Sequence, residues 1–213
     1  MAALFAQTPA MVAFLADKAG MPLPNGRYAQ VLVLGREAQE AASFSLIGMA
    51  DLDRERDEPS SAWIIAHELA HQWWGNLVTC ATWQDLWLNE GIVTFMVAAW
   101  EEHHSGEAAY RQELDVARRR VERVRELGFD KPLAWGGTYP SIGARRAVQY
   151  SKGALFLAHL RESIEDPAFW NGLRRFTRRH AGGTVTSKDF QQAMETTSGR
   201  DLSPMFIEWV YGP

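Results

Sequence analysis

Cysteine is almost missing from this 213-residue chain, and the single thiol, Cys80, excludes an internal disulfide. Residues 1–20 carry neither a basic leader stretch nor a clear cleavage site. With the lone cysteine, this favours a cytoplasmic location. Long apolar runs are lacking too, so no transmembrane span is expected. Positive charge is not in excess: 22 Lys and Arg face 26 Asp and Glu, a formal net charge of −4. Neither nucleic acid nor an anionic membrane is therefore an expected partner. Repeats and low-complexity tracts are missing as well. What remains is ordinary globular composition, 46% hydrophobic and 23% charged. The length suits one large domain or two small ones. Nine tryptophans are the one excess. They imply a large aromatic core or a surface that packs on something else.

The chemistry concentrates in Ala66-His67-Glu68-Leu69-Ala70-His71 and Asn89-Glu90-Gly91. His67 and His71 are four apart, which on a helix sets both imidazoles on one face. Two neutral imidazoles aimed at one point are two ligands of a zinc ion. Glu68 lies about 100° round the helix, where it reaches a water at the metal rather than the metal itself. A catalytic zinc takes three protein ligands and keeps one position open, whereas a structural zinc takes four. A first-turn glutamate such as Glu90 more often serves a helix dipole. Here it is the best-placed third ligand.

The surroundings support a buried helix. Asp57, Glu58, Ser60 and Ser61 offer a hydroxyl cap with acids at the positive end of the dipole. Trp63, Ile64, Ile65, Leu69 and Trp73 are apolar on nearly every side, and Gly75-Asn76 ends the segment. Upstream, Thr8-Pro9 starts a helix with Thr8 as its cap, running to Lys18 and stopped by Gly20. Residues 28–34 read as a strand, and residues 43–49 as a second. Residues 51–58 form a charge run, read as a solvated loop. Downstream, residues 77–83 are a connection. Trp87 opens a second buried helix, fading over 101–105. Two such helices pack as antiparallel neighbours, returning Glu90 to the histidines. Residues 106–127 form an amphipathic helix whose Arg118-Arg119-Arg120 run is a solvated face. A Gly/Pro loop follows over 128–143. Helices are expected over 144–165, from Asp166 to Ala181, from a Ser187 cap to Thr197, and from Ser203-Pro204 to Trp209. Asp85 and Asn89 are candidates to orient the histidine ligands.

These residues resemble the gluzincin aminopeptidases, the aminopeptidase N-like zinc family, which also holds a leukotriene epoxide hydrolase. The likeness is carried by residues 65–78 (IAHELAHQWWGNLV) and 85–91 (DLWLNEG). It continues in Tyr150-Ser151-Lys152-Gly153 and in residues 198–204 with Trp209 and Val210. It implies an α+β, predominantly α fold: a thermolysin-like catalytic domain with a small β-containing N-terminal part and a helical second half. The chain is read as a single catalytic domain over 1–213. Residues 1–58 form the β-containing lobe and 59–213 the helical zinc-binding part, without the flanking domains of the family. Surface left bare by those domains would favour self-association.

The resemblance implies one Zn2+ on His67, His71 and Glu90, with Glu68 as general base. It further implies that Tyr150 donates its hydroxyl to the developing oxyanion, a role the spacing alone does not reveal. The family's Gly-x-Met-Glu-Asn stretch, whose glutamate binds the substrate's amino group, is replaced here by residues 36–43 (REAQEAAS). Glu40 falls at the glutamate's place, with Glu37 as rival, while the glycine, methionine and asparagine are missing. The expected function is a metallo-aminopeptidase acting on peptides. The alternatives are a zinc-bearing but inactive scaffold and an epoxide hydrolase variant.

Overall fold

A computed structural model describes residues 5–50 and 63–212. It is mostly helical with two small sheets. Helix α1 (Thr8–Ala19) leads into strands β1 (Ala29–Val33), β2 (Gln39–Ala41) and β3 (Phe44–Gly48). The sheet order is β1-β3-β2, with β1 parallel to β3 and β2 antiparallel to it, pairing Glu40 with Ser45. Helix α2 (Trp63–Ala70) carries both histidines and Glu68. Strand β4 (Val78–Cys80) follows, then the long α3 (Trp87–Ser105), which begins with Glu90 in its first turn.

The remainder is almost wholly helical, as its sequence predicts. In α4 (Glu107–Glu126) the buried Tyr110, Leu114, Ala117, Val121 and Val124 recur at spacings of three and four. The Arg118-Arg119-Arg120 run on the same helix is exposed. Helix α5 (Ile142–Arg146) runs into a π-type wide turn (Ala147–Lys152) and then α6 (Gly153–Ile164). Helix α7 (Asp166–His180) has Pro167 at its start and Arg178, Arg179 and His180 in its last turn, favourable against the dipole at that end. Strand β5 (Gly183–Val185) pairs in parallel with β4. Helices α8 (Ser187–Ser198) and α9 (Ser203–Phe206) close the fold, the latter running on as a wide turn to Tyr211.

Helix α3 is buried from Trp87 to Glu101 and forms the axis of the core. Tryptophan and phenylalanine fill that core: Trp73, Trp74, Trp87, Trp100, Phe95, Phe156, Phe169, Phe176, Phe190 and Phe206 are all fully buried. The tryptophan excess is therefore mainly internal, with Trp83 as the exposed exception. Glycine sets the closest helix approach. A Cβ on Gly153 would sit 2.8 Å from the Gly91 Cα, so α6 and the start of α3 pack backbone to backbone.

Several sequence expectations are corrected. Thr8 is not a cap: Gln7 precedes the helix, and the Thr8 hydroxyl donates to Gln30 Oε1 at 3.2 Å. The cap of α8 is Thr186 rather than Ser187. Thr186 and Asp189 form a reciprocal capping box, while Ser187 donates from N and Oγ to Asp85 Oδ1. Residues 77–83 are more than a connection, since Val78–Cys80 pairs with Gly183–Val185. Strand β2 was not anticipated. Helix α3 stays regular through Ser105. The proposed Ser60-Ser61 cap and the charge run over 51–58 lie outside the described residues.

Candidate active site and metal centre

Three of the residues singled out by spacing converge. Glu90 Oε2 lies 3.5 Å from His67 Nε2 and 3.4 Å from His71 Nε2. All three offer a ligand atom within 4.8 Å of the others, and all three are buried. This is the only such group among the described residues. The two imidazole planes stand at 85° with centroids 4.9 Å apart, so their Nε2 lone pairs approach one point from different directions.

The donor set fits zinc. Two neutral nitrogens and one carboxylate make the three-ligand composition of a catalytic site. Glu90 Oε2 is buried with no hydrogen-bond partner among the described residues, an oxygen that a metal would satisfy. His71 Nδ1 is 2.9 Å from the Trp74 carbonyl. A carbonyl can only accept, so Nδ1 carries the proton and the Nε2 lone pair is free for a metal. Gly75 makes this bond feasible: it has φ 133°, and a Cβ there would sit 2.7 Å from His71 Nδ1.

The electrostatics are those of a buried cluster. Burial pushes His67 down to about 4, against the pull of Glu90. For His71 burial also acts downward, but the Glu90 carboxylate 3.4 Å away outweighs it and holds the metal-free ring up at about 9, so a metal would take the place of a proton at Nε2. Burial would raise the Glu90 carboxyl, yet the two imidazoles hold it well below the usual carboxylate range. Glu68 is pushed up to about 7, mainly by burial, with His71 opposing and Glu40 and Glu90 adding to the rise. Burial and then the Glu90 charge raise the Tyr150 hydroxyl above its ordinary value.

Tyr150 sits in the wide turn after α5, its ring nearly parallel to His67 at 5° with centroids 6.0 Å apart. The Gly91–Gly153 contact draws this turn against the start of α3 and so brings Tyr150 to Glu90. Glu40 is half-buried on β2, and its charge is felt at Glu68, His71 and Tyr150. Glu37 is exposed and lies outside any strand. Asp85 and Asn89 do not orient the histidines. Asp85 accepts from Ser187 and Thr82, and Asn89 Oδ1 accepts from Cys80 N at 3.0 Å.

One positioning residue escaped the sequence reading. Gln72, buried beside His71, accepts from Ser43 N at 2.8 Å and donates to Ala41 O at 2.9 Å. It ties the β2–β3 hairpin, and with it Glu40, to the histidine segment. An amide in an apolar run was the available signal, since buried amides require partners. A groove of about 630 Å³ is lined by Trp83, Trp135, Tyr139, Ile142, Arg145 and Gln149 and by none of the residues of the centre.

The chain resembles known proteins in both sequence and fold. Aminopeptidase N of Lactococcus lactis is 32% identical over 196 residues, covering 87% of this chain and 21% of that protein. Aminopeptidase N of Streptomyces lividans is 33% identical over 162 residues, 68% of this chain and 18% of that protein. The chain thus spans about a fifth of the length of these curated relatives, 21% and 18%. An M1 zinc metallopeptidase of Deinococcus radiodurans, crystallised as a mutant with a Tyr-Ser-Ala substrate, superposes with TM-score 0.77 at 28% identity. That match covers 96% of this chain and 44% of that one. Yeast LTA4 hydrolase shares the fold, with TM-score 0.81 at 20% identity over 98% of this chain and 35% of its own. Residues 41–209 match the peptidase family M1 domain. That span holds His67, Glu68, His71, Glu90 and Tyr150, and it makes this chain a member of peptidase family M1.

Proposed function

We propose that this chain is the catalytic part of a zinc-dependent aminopeptidase that removes N-terminal residues from peptides. The observation that carries the reading is the convergence of His67, His71 and Glu90, with Glu68 buried one residue from the first ligand. A single zinc ion held by these three would supply Lewis acidity and an acidified water in its open position.

The chain's own groups perform the proton chemistry. Glu68, which burial pushes up from the ordinary carboxylate range in the metal-free chain, is suited to act as a general base. It takes the proton of the attacking water and returns it to the leaving amine. Tyr150 stays protonated because burial and Glu90 oppose its ionisation, so it donates its O–H to the carbonyl oxygen as negative charge develops there. One such donor is worth about 3 kcal/mol. Glu40 holds the substrate's ammonium and sets the register of cleavage, in preference to the exposed Glu37.

The test is hydrolysis of a panel of aminoacyl-p-nitroanilides by this chain and by Glu68→Gln, with zinc content measured on both. One zinc in each and turnover in the parent alone supports the reading. One zinc without turnover in the parent favours the inactive scaffold, and no zinc in either overturns the metal centre.

A further inference from the structure

The two histidines of the centre are held in different ways. His71 is oriented by its Nδ1–H bond to the Trp74 carbonyl. Among the described residues His67 has no such bond, and its Nδ1 is buried without a hydrogen-bond partner. A metal-binding imidazole almost always donates its second nitrogen to an oxygen that fixes the ring plane and the tautomer. His67 must take its orientation from elsewhere. The Trp63 ring lies 4.5 Å from it, centroid to centroid, at 16° between planes. Tyr150 lies parallel as well, but at 6.0 Å. Trp63 is four residues before His67 on α2, the spacing at which helical side chains meet.

We propose that Trp63 is a positioning residue for the metal centre, whose stacked indole takes the place of the missing hydrogen bond and holds the His67 ring toward the point shared with His71 and Glu90. The inference rests on the zinc reading above. Two physical effects support it. Offset stacking at this distance resists rotation of the imidazole about χ2, which a lone rotamer well does weakly. An imidazole that donates its Nε2 lone pair to a dication becomes electron-poor, and the negative face of an indole attracts an electron-poor ring. The contact is therefore stronger with metal bound than without, and Trp63 contributes to affinity as well as to geometry. Trp63 is itself fixed: it is half-buried, packs against the core and borders a small hollow beside Thr94, Ala98 and Leu114.

The experiment is zinc affinity by chelator competition on the parent, Trp63→Leu and Trp63→Phe, with melting temperatures of the chelator-treated proteins alongside. Losing the support of a ligating histidine weakens metal binding by about 10–100-fold. Trp63→Leu is expected to fall in that range while its metal-free melting temperature stays near the parent's. Trp63→Phe, which keeps a ring, is expected to recover most of the affinity. A leucine variant that binds zinc as tightly as the parent overturns the proposal. So does a phenylalanine variant that loses as much as leucine, because then packing rather than stacking matters. Should the leucine variant fail to fold, Trp63→Met against Trp63→Tyr makes the same contrast of chain against ring. A parent that binds no zinc overturns the metal centre and this inference together, whereas a zinc-binding parent with an indifferent position 63 overturns this inference alone.

Discussion

The two sides of the candidate site are built on different terms. On the helical side His67, His71 and Glu90 are 4%, 1% and 8% exposed, enclosed by fully buried tryptophans and phenylalanines. On the sheet side Glu40 sits on a three-residue edge strand, in a lobe where Val31, Leu34, Phe44 and Met49 remain exposed. Buried charges are tolerated only when partners are fixed in advance, so metal ligands belong in the rigid part. A group that must meet a ligand from solvent needs the opposite. Gln72 is the bridge between these two regimes, reaching from the histidine segment to both ends of the hairpin turn.

The largest expected effects lie on the rigid side. Glu68→Gln should lower turnover by about 10²–10⁴-fold, the usual contribution of a general base, with zinc content unchanged. Nitroanilide hydrolysis and metal analysis on the same samples check it, and wild-type turnover would remove Glu68 from the chemistry. Glu90→Ala should weaken zinc by more than about 100-fold, because even outer partners of a ligand cost 10–100-fold. Chelator competition measures this, and an affinity within tenfold of the parent would mean that Glu90 is not a ligand.

That rigid side is also the part legible in the sequence. The His-Glu-x-x-His spacing, the apolar helix around it and a first-turn Glu90 all follow from helical periodicity. The same is true of α4, whose buried residues recur at three and four. On the sheet side β1 and β3 were legible, since residues 28–34 and 43–49 read as strands, but the edge strand and the pairings were not. Strands β2, β4 and β5 are three residues each, too short for an alternating pattern, and their pairings exist only in the folded chain. The placement of Tyr150 depends on a wide turn and on the Gly91–Gly153 contact, neither of which has a local signature. Trp63 read as one more apolar helix residue, and its relation to His67 emerges only once ring planes are known. At Thr8 and Ser187 the correct residue class was present, but neighbouring partners claimed the hydroxyls.

On the sheet side the effects should be smaller and confined to substrate binding. Glu40→Gln is expected to raise KM for a substrate with a free amino terminus by about tenfold, equivalent to ~1.4 kcal/mol, with kcat less affected. Glu37→Gln, at an exposed position, should change neither. An N-acetylated substrate should be insensitive to both changes. Equal effects at positions 37 and 40 would erase the distinction between them. Gln72→Leu tests the bridge: it strands the Ala41 carbonyl and the Ser43 amide, and should reproduce part of the Glu40 defect without lowering zinc affinity.

The last expected effect is on stability rather than turnover, and it runs in the opposite direction. Burial raises the Glu68 carboxyl from 4.5 to about 7 in the fold. A raised acid means that the folded chain binds the proton more tightly than the unfolded one. Stability is then fully present below the unfolded value and is lost as pH climbs through the folded value. Glu68→Gln removes the ionisable group while keeping the shape, so in chelator-treated protein the two chains should melt together at the acid end of this window. By pH 8 the glutamine variant should be more stable by roughly 3 kcal/mol, which for a domain of this size is on the order of ten degrees. Parallel melts at pH 5 and pH 8 decide it. A gap of the same size at both values would mean that Glu68 is as easily charged inside the fold as outside. The helical side would then be wetter than its burial implies, and the contrast between the two sides of the site would narrow.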